Sequence, residues 1–304
     1  MIAFGCSVSE SEPYFRYAEP GIRMAAEPDS AIFSYAAVGT IGRTYNLLLD
    51  AAARHEDLEA LVIVHPHTEI ADPELCAKVR TALADPDIAV IGCAGASDVR
   101  TIAWWEGSVS CGAVTHRYVE HGGGELPAFS WTARRPAPAE VDTLDGFLLV
   151  LSPWAVRTVR FDEGLMLGHG FDLDYCLQVR GAGRKVVTAD LRVIQHRSLK
   201  VIGDLELWAE AHAEVARKWE GRMPGLETST IDWRQRARRA EAEREAARAL
   251  AYSKRLAADA RLQELERSLQ QATETMSWRI TTPLRRINKW RRTRSAGENC
   301  SGPR

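Results

Sequence analysis

The chain has 304 residues, 45% of them apolar and 26% charged, which suffices to bury a core in one or two ordinary domains. A formal net charge of −2, no N-terminal signal pattern and no apolar run of membrane-spanning length argue against a secreted, membrane-spanning or uniformly basic protein. Six cysteines without a CxxC pair or regular spacing argue against a zinc finger and a disulfide framework, so reduced thiols in a cytoplasm are expected.

In chain order, Ile2-Ala-Phe-Gly predicts a first strand and Ile32 to Val38 a second, followed by a helix from Thr44 to Ala53 with one apolar face. Leu61-Val-Ile-Val64 is a buried strand that stops at His65-Pro66-His67. Asp72 then predicts a helix N-cap, with Pro73 at the first helical position. Ile88 to Gly92 and Phe147 to Leu151 are further strands. Between them, Ser97 to Glu140 contains Trp104-Trp105 and Gly122-Gly-Gly124 and reads as a long loop or a small hairpin insertion, either a binding loop or a floppy insertion. Short apolar runs alternating with helical ones, up to about Pro224, mark an α/β domain.

Beyond Thr230 the composition shifts. Asp232 to Gln271 is rich in Ala, Arg and Glu without Gly or Pro, and Leu262, Leu265, Leu269, Ala272 and Met276 recur at alternating spacings of 3 and 4. That seam predicts a helical arm over 225–276 that either dimerises as a coiled coil or packs back on the domain. From Trp278 to Arg294 there are seven basic residues (Arg279, Arg285, Arg286, Lys289, Arg291, Arg292 and Arg294) and no acidic one. Interleaved with Ile280, Leu284, Ile287 and Trp290, they suit an anionic membrane surface better than nucleic acid, for which no binding module is recognised.

Three polar clusters fall where strands end, the usual ligand edge of an open α/β sheet. His65-Pro-His67-Thr-Glu69 offers two imidazoles and a carboxylate, able to meet a nucleotide or a transition metal, although such a pair more often has a structural role. Asp145-Gly146 precedes an apolar strand and suits either close approach of a ligand or a simple turn. Asp172 and Asp174 open a helix after Gly168-His-Gly-Phe171, where the dipole is expected to hold a carboxylate ionised, fit for a general base or a cation ligand. His196 follows the predicted strand Leu191-Arg-Val-Ile and can complete a metal site.

Taken in order, His65-Pro-His67, Trp104-Trp105, Asp145-Gly146, Phe171-Asp172-Leu-Asp174 and Gln195-His196 resemble the inverting family 2 group of nucleotide-sugar-dependent glycosyltransferases, over roughly residues 1 to 220. The resemblance implies a GT-A fold: a Rossmann-like, mostly parallel mixed sheet flanked by helices over residues 1–224. It makes Asp172 the base that deprotonates the acceptor hydroxyl. Ser7, Glu10, Arg43, Asn46, His65, Asp145, Gly146 and Asp174 fall at positions that bind the nucleotide-sugar donor, and His67 and His196 at those that hold a divalent metal, Mn²⁺ or Mg²⁺. His67 stands where relatives carry a carboxylate and Phe171 where they carry Glu. Metal use through imidazoles, metal-free action and loss of catalysis therefore all stay open.

The segment Ser277-Trp-Arg-Ile-Thr-Thr-Pro-Leu-Arg285, within the tail 277–304, is similar to an element that follows coiled coils in bacterial surface-polysaccharide glycosyltransferases. The two resemblances together imply an enzyme at the inner face of the plasma membrane acting on a glycan or lipid-linked acceptor. The rival expectation is an inactive transferase-like scaffold that recruits other enzymes. A metal hydrolase built on His65, His67 and His196 lacks the helix-borne His pair of that class.

Overall fold

The computed structural model describes residues 1–100, 102, 104, 107–111, 114–118, 124–125, 138–165, 168–197, 205–219, 254–271 and 273. The chain divides into two compact units, Met1–Leu250 and Ala251–Arg304. The domain boundaries expected at 224 and 276 and the basic tail lie outside the described residues. Among the described residues no helix is long and apolar enough to cross a membrane.

In the first unit, strand β1 (Ile2–Val8) is buried almost throughout and needs cover on both faces. A helical segment follows: α1 (Ser11–Pro13), a π-helical turn over Tyr14–Ala18, and α2 (Glu19–Ala25). Then come β2 (Ile32–Ala36), α3 (Ile41–Ala53), β3 (Ala60–Val64), β4 (Thr68–Ile70), α4 (Leu75–Ala82), β5 (Ile88–Gly92) and β6 (Ala94–Ser97). Next are β7 (Ser108–Cys111), β8 (Val114–Tyr118), β9 (Gly124–Glu125), β10 (Ala139–Glu140), β11 (Thr143–Leu144) and β12 (Leu148–Leu151). The unit closes with α5 (Pro153–Thr158), α6 (Phe171–Gly181), β13 (Lys185–Thr188), β14 (Val193–Arg197) and α7 (Leu205–Lys218).

The large sheet has the order β10-β13-β5-β12-β3-β1-β2. Strands β2, β1 and β3 pair in parallel, as do β5 and β13, while β12 lies antiparallel between β3 and β5. Because β12 reverses against both neighbours, the five parallel strands all point the same way. Their carboxyl ends and the amino end of β12 therefore share one edge, where the candidate site forms. Two small sheets, β11-β6-β7 and β4-β14-β8-β9, complete the topology.

Alternation along the strands divides the core. Ile2, Phe4, Val62, Val64, Leu148 and Val150 face one layer with Tyr14, Ile22, Leu75 and Val79. Ala3, Leu61, Ile63, Leu149 and Leu151 face the other with Tyr45, Leu48, Leu49 and Val156. Full burial of each such side chain contributes about 1.5–3 kcal/mol, so the sheet is held from both sides. Helix α6 belongs to both layers, through Leu173 and Leu177 on one flank and Tyr175, Cys176 and Val179 on the other. It is wedged in place.

The mixed α/β sheet flanked by helices is the class that the sequence led us to expect. Several boundaries differ. Helix α3 starts at Ile41 because the Thr40 side chain accepts the Arg43 N–H and caps it there. Helix α4 starts at Leu75 rather than Pro73: Asp72 accepts the Glu74 N–H at 3.1 Å but holds a turn ahead of the helix. His196 lies inside strand β14 instead of after it, and of the two readings of the insertion after Ser97 the described residues agree with the hairpin, since β8 and β9 pair antiparallel. The helical segment at Ser11–Ala25, which runs on through Pro13 and Pro20, has no clean apolar period and was not expected. Cys6, Cys76 and Cys176 are buried free thiols.

Candidate functional site

Asp145 and Gly146 precede β12 at the shared edge. Across from them the His65 N–H donates to the Phe147 carbonyl at 3.0 Å, fastening the end of β3 to the start of β12. The Gly146 N–H donates at 2.9 Å to Asp172 Oδ2, and the Leu173 N–H donates at 2.9 Å to Oδ1. Both carboxylate oxygens of Asp172 are thus oriented by backbone. A Cβ at Gly146 would come within 2.6 Å of the Phe171 ring and 3.1 Å of Asp172 Cβ, so this approach needs glycine.

Asp172 lies deep yet keeps part of its surface open. Burial, and then the nearby charge of Asp145, push its carboxyl up to about 6, against the two amide bonds that favour the ionised form. Desolvation outweighs the amide bonds, though at neutral pH the group is still mostly a carboxylate.

Asp174 is a correction. Two residues along a helix is more than half a turn, so it faces away from Asp172. Its side chain is 1% exposed and paired with Lys218 Nζ at 2.6 Å. Trp219 Nε1 and Gln178 Nε2, each at 2.8 Å, also donate to it. It ties α6 to the end of α7 and presents nothing to a donor. Asn46 is likewise committed to structure: its Nδ2 donates to the Phe161 carbonyl and to Glu163 Oε1, and its Oδ1 accepts the Phe161 N–H at 3.0 Å. It clips the loop after α5. Ser7 is buried in β1 opposite Tyr35. Arg43 differs, standing 60% exposed on the first turn of α3, with Glu163 at 3.9 Å.

The imidazoles form the other flank. His65 Nδ1 accepts the His67 N–H at 3.3 Å and the two rings lie 5.5 Å apart. His67 Nε2 meets Glu10 Oε1 at 3.2 Å, an exposed carboxylate just past β1. His196 donates its backbone N–H to the His67 carbonyl at 2.8 Å, while its ring Nε2 meets Glu69 Oε2 at 2.8 Å and stacks on Tyr17 at 3.7 Å. Strand pairing sets the backbone of His196 against His67, and the rings of His65 and His67 lie side by side. The metal reading does not fit: among the described residues no three His, Cys, Asp or Glu side chains converge on one point, and each imidazole of the expected pair has its own carboxylate.

Residues that sequence reasoning missed explain the rest of the edge. Tyr17 sits on the unforeseen π-turn, and Lys218 lies far along the chain from Asp174. His169 stands between Gly168 and Gly170, with φ of 69° and 76°, three residues ahead of Asp172, and burial holds its imidazole below the ordinary value. The flanking glycines were the available signal. Of the expected tryptophan pair, Trp104 is buried in the core and Trp105 lies outside the described residues.

No family model matches the chain. Over 201 residues it is 28% identical to the streptomycin biosynthesis protein StrF of Streptomyces griseus, covering 65% of this chain and 67% of that protein. Among solved structures, a partial likeness extends to the mannosyltransferase PcManGT from Pyrobaculum calidifontis in complex with GDP-Man and Mn²⁺, with TM-score 0.42 and 14% identity over 93% of this chain and 82% of that one. GalNAc-T7 with UDP, GalNAc and Mn²⁺ gives TM-score 0.42 and 11% identity over 72% of this chain, which spans 47% of the GalNAc-T7 chain.

Proposed function

We propose that this chain is a glycosyltransferase that moves a sugar from a nucleotide-sugar donor to an acceptor hydroxyl with inversion at the anomeric carbon. The observation that carries this reading is Asp172, a carboxylate with a raised pKa of about 6, oriented by two backbone amides at the edge where the strands end and joined to His65 through Gly146 and Phe147. A base poised just below neutral pH is ionised in use and still basic enough to take a proton.

In the proposed step the acceptor oxygen forms its bond to the anomeric carbon, its proton passes to Asp172, and the bond to the nucleoside diphosphate breaks on the opposite face. Charge grows on the leaving diphosphate and must be met by fixed donors or cations. Arg43, on the first turn of α3, and the imidazoles of His65 and His67 are the groups this edge offers. Among the described residues the donor set does not converge on a metal, so these side chains meet that charge.

The acceptor we propose is a surface-glycan or lipid-linked hydroxyl at the inner face of the plasma membrane, with the basic stretch 278–294 drawing the protein to anionic lipid. The name of the StrF relative adds a small biosynthetic acceptor to the panel worth assaying. Calorimetric titration of UDP, GDP and dTDP, each with and without Mn²⁺, tests the donor site. Failure to bind any of them would defeat the proposal.

A further inference from the structure

The helix at 254–271 in the second unit carries a stripe that its own unit leaves uncovered. Leu262, Leu265 and Leu269 are 59%, 56% and 63% exposed, whereas the remaining leucine of the segment, Leu256, lies off this stripe and is half-buried. Their spacings of 3 and 4 place Leu262 and Leu269 at the first heptad position, a, and Leu265 at the fourth, d. By sequence the seam continues through Ala272 and Met276.

The same register fixes the flanks. The seventh position, g, is Lys254 and then Arg261; the fifth, e, is Asp259 and then Glu266. In a parallel coil each g residue faces the e residue five positions later on the other strand, so Lys254 meets Asp259 and Arg261 meets Glu266, twice over by symmetry. The third such pair, Ser268 with Thr273, is neutral. An antiparallel arrangement would set g against g and e against e, cation on cation and carboxylate on carboxylate. Arg261, at present turned along its own helix to Glu264 at 3.0 Å, is exposed and free to swing across. Arg255 at an a position tolerates a two-stranded seam, where its head reaches solvent, better than a larger bundle.

We propose that this helix pairs in parallel and in register with the same helix of a second copy of the chain. Two copies so joined deliver both basic stretches from one end of the coil, doubling the charge that meets a surface. The proposal stands apart from the assignment of the active site. A chain that binds no nucleotide can still pair, and a working transferase can prove monomeric.

Sedimentation of the full chain over a wide concentration range should show a monomer–dimer equilibrium. Two variants make the test specific: Lys254→Glu with Arg261→Glu leaves every flank acidic, and Asp259→Lys with Glu266→Lys leaves every flank basic. Each alone should self-associate more than about tenfold more weakly than the parent, since four attractions become repulsions. Mixed in equal amounts they should recover parent-like dimers, each variant's g flank now facing an opposite charge. A parent chain that stays monomeric throughout, a variant that dimerises as well as the parent, or a mixture that fails to recover each overturns the proposal. All four substituted positions are exposed, so loss of folding is not expected.

Discussion

The two flanks of the candidate cleft are built differently. On one side, Asp172 is fixed by backbone: Gly146 and Leu173 donate to its two oxygens, and Asp145 sits close enough to repel it. On the other, His67 and His196 are held by the side chains of Glu10 and Glu69, which are 62% and 35% exposed. Backbone donors cannot rotate away, whereas side-chain partners can. The carboxylate flank is therefore preorganised, as a base must be, and the imidazole flank is adjustable, as suits a surface that must admit and release a charged donor.

The largest expected effect follows from the rigid side. Asp172→Asn should lower transfer about 10³–10⁴-fold while donor affinity by calorimetry changes only a few-fold, because the lost proton acceptor matters in the step and not in the binding. Asp174→Asn, two residues on, should do the reverse. It weakens the ion pair to Lys218 and costs roughly 1–2 kcal/mol of stability by denaturant titration, discounted because Lys218 is 31% exposed, with turnover of the folded fraction retained. If Asp174→Asn abolished turnover while Asp172→Asn did not, the roles assigned to the two carboxylates would be exchanged.

Next in size is Gly146→Ala. The added carbon meets the Phe171 ring at 2.6 Å, inside an aromatic group where Phe171 lies 5.5 Å from Tyr45. Overpacking of this kind costs about 1–3 kcal/mol, and the displaced amide no longer holds Asp172. Both the melting temperature and the transfer rate should drop, and shortening Phe171 to Leu in the same chain should restore part of each. Transfer at the parent rate by Gly146→Ala would mean that the amide does not position the base.

Much of this rigid flank was legible in the sequence, because the glycine beside Asp145 and the carboxylate heading an apolar helix are local patterns. The direction of Asp174 was less so. A pair of aspartates two apart looks like one site, yet the helix turns the second inward, and its partner Lys218 lies 44 positions along the chain. The imidazole flank was half legible: His65, His67, Glu69, Glu10 and His196 stand out in the sequence, but the pairing of Glu69 with His196 follows from cross-strand register and the stacking of Tyr17 from a π-turn that no periodicity announces. The class of fold was readable from alternating apolar runs. The antiparallel insertion of β12, which brings Gly146 to His65, was not, since its Leu148–Leu151 run looks the same in either direction.

A smaller and more continuous effect is pH. The raised carboxyl of Asp172 titrates near 6, so the proposed transfer should fall about tenfold per unit below that value and level off above it. The sign of Asp145's part is fixed: a neighbouring negative charge disfavours ionisation, so Asp145→Asn should move the acidic limb to lower pH even if the absolute rate also drops. An unmoved midpoint would leave burial as the sole cause.

The smallest effects separate the two adjustable pairs. Glu10 and His67 are 62% and 30% exposed, and a pair so open contributes between nothing and about 1 kcal/mol, so Glu10→Gln should leave the melting temperature nearly unchanged. Glu69 and His196 are 35% and 11% exposed, and the imidazole is further pinned by Tyr17, so Glu69→Gln removes the carboxylate charge beside a ring that cannot easily turn to water. It should cost more, on the order of 1–2 kcal/mol, together with loss of order in the Tyr17 turn seen as faster amide exchange over Tyr14–Ala18. Equal costs for the two substitutions would make the imidazole flank uniform, and the stacked ring of Tyr17 would then have no part in holding His196.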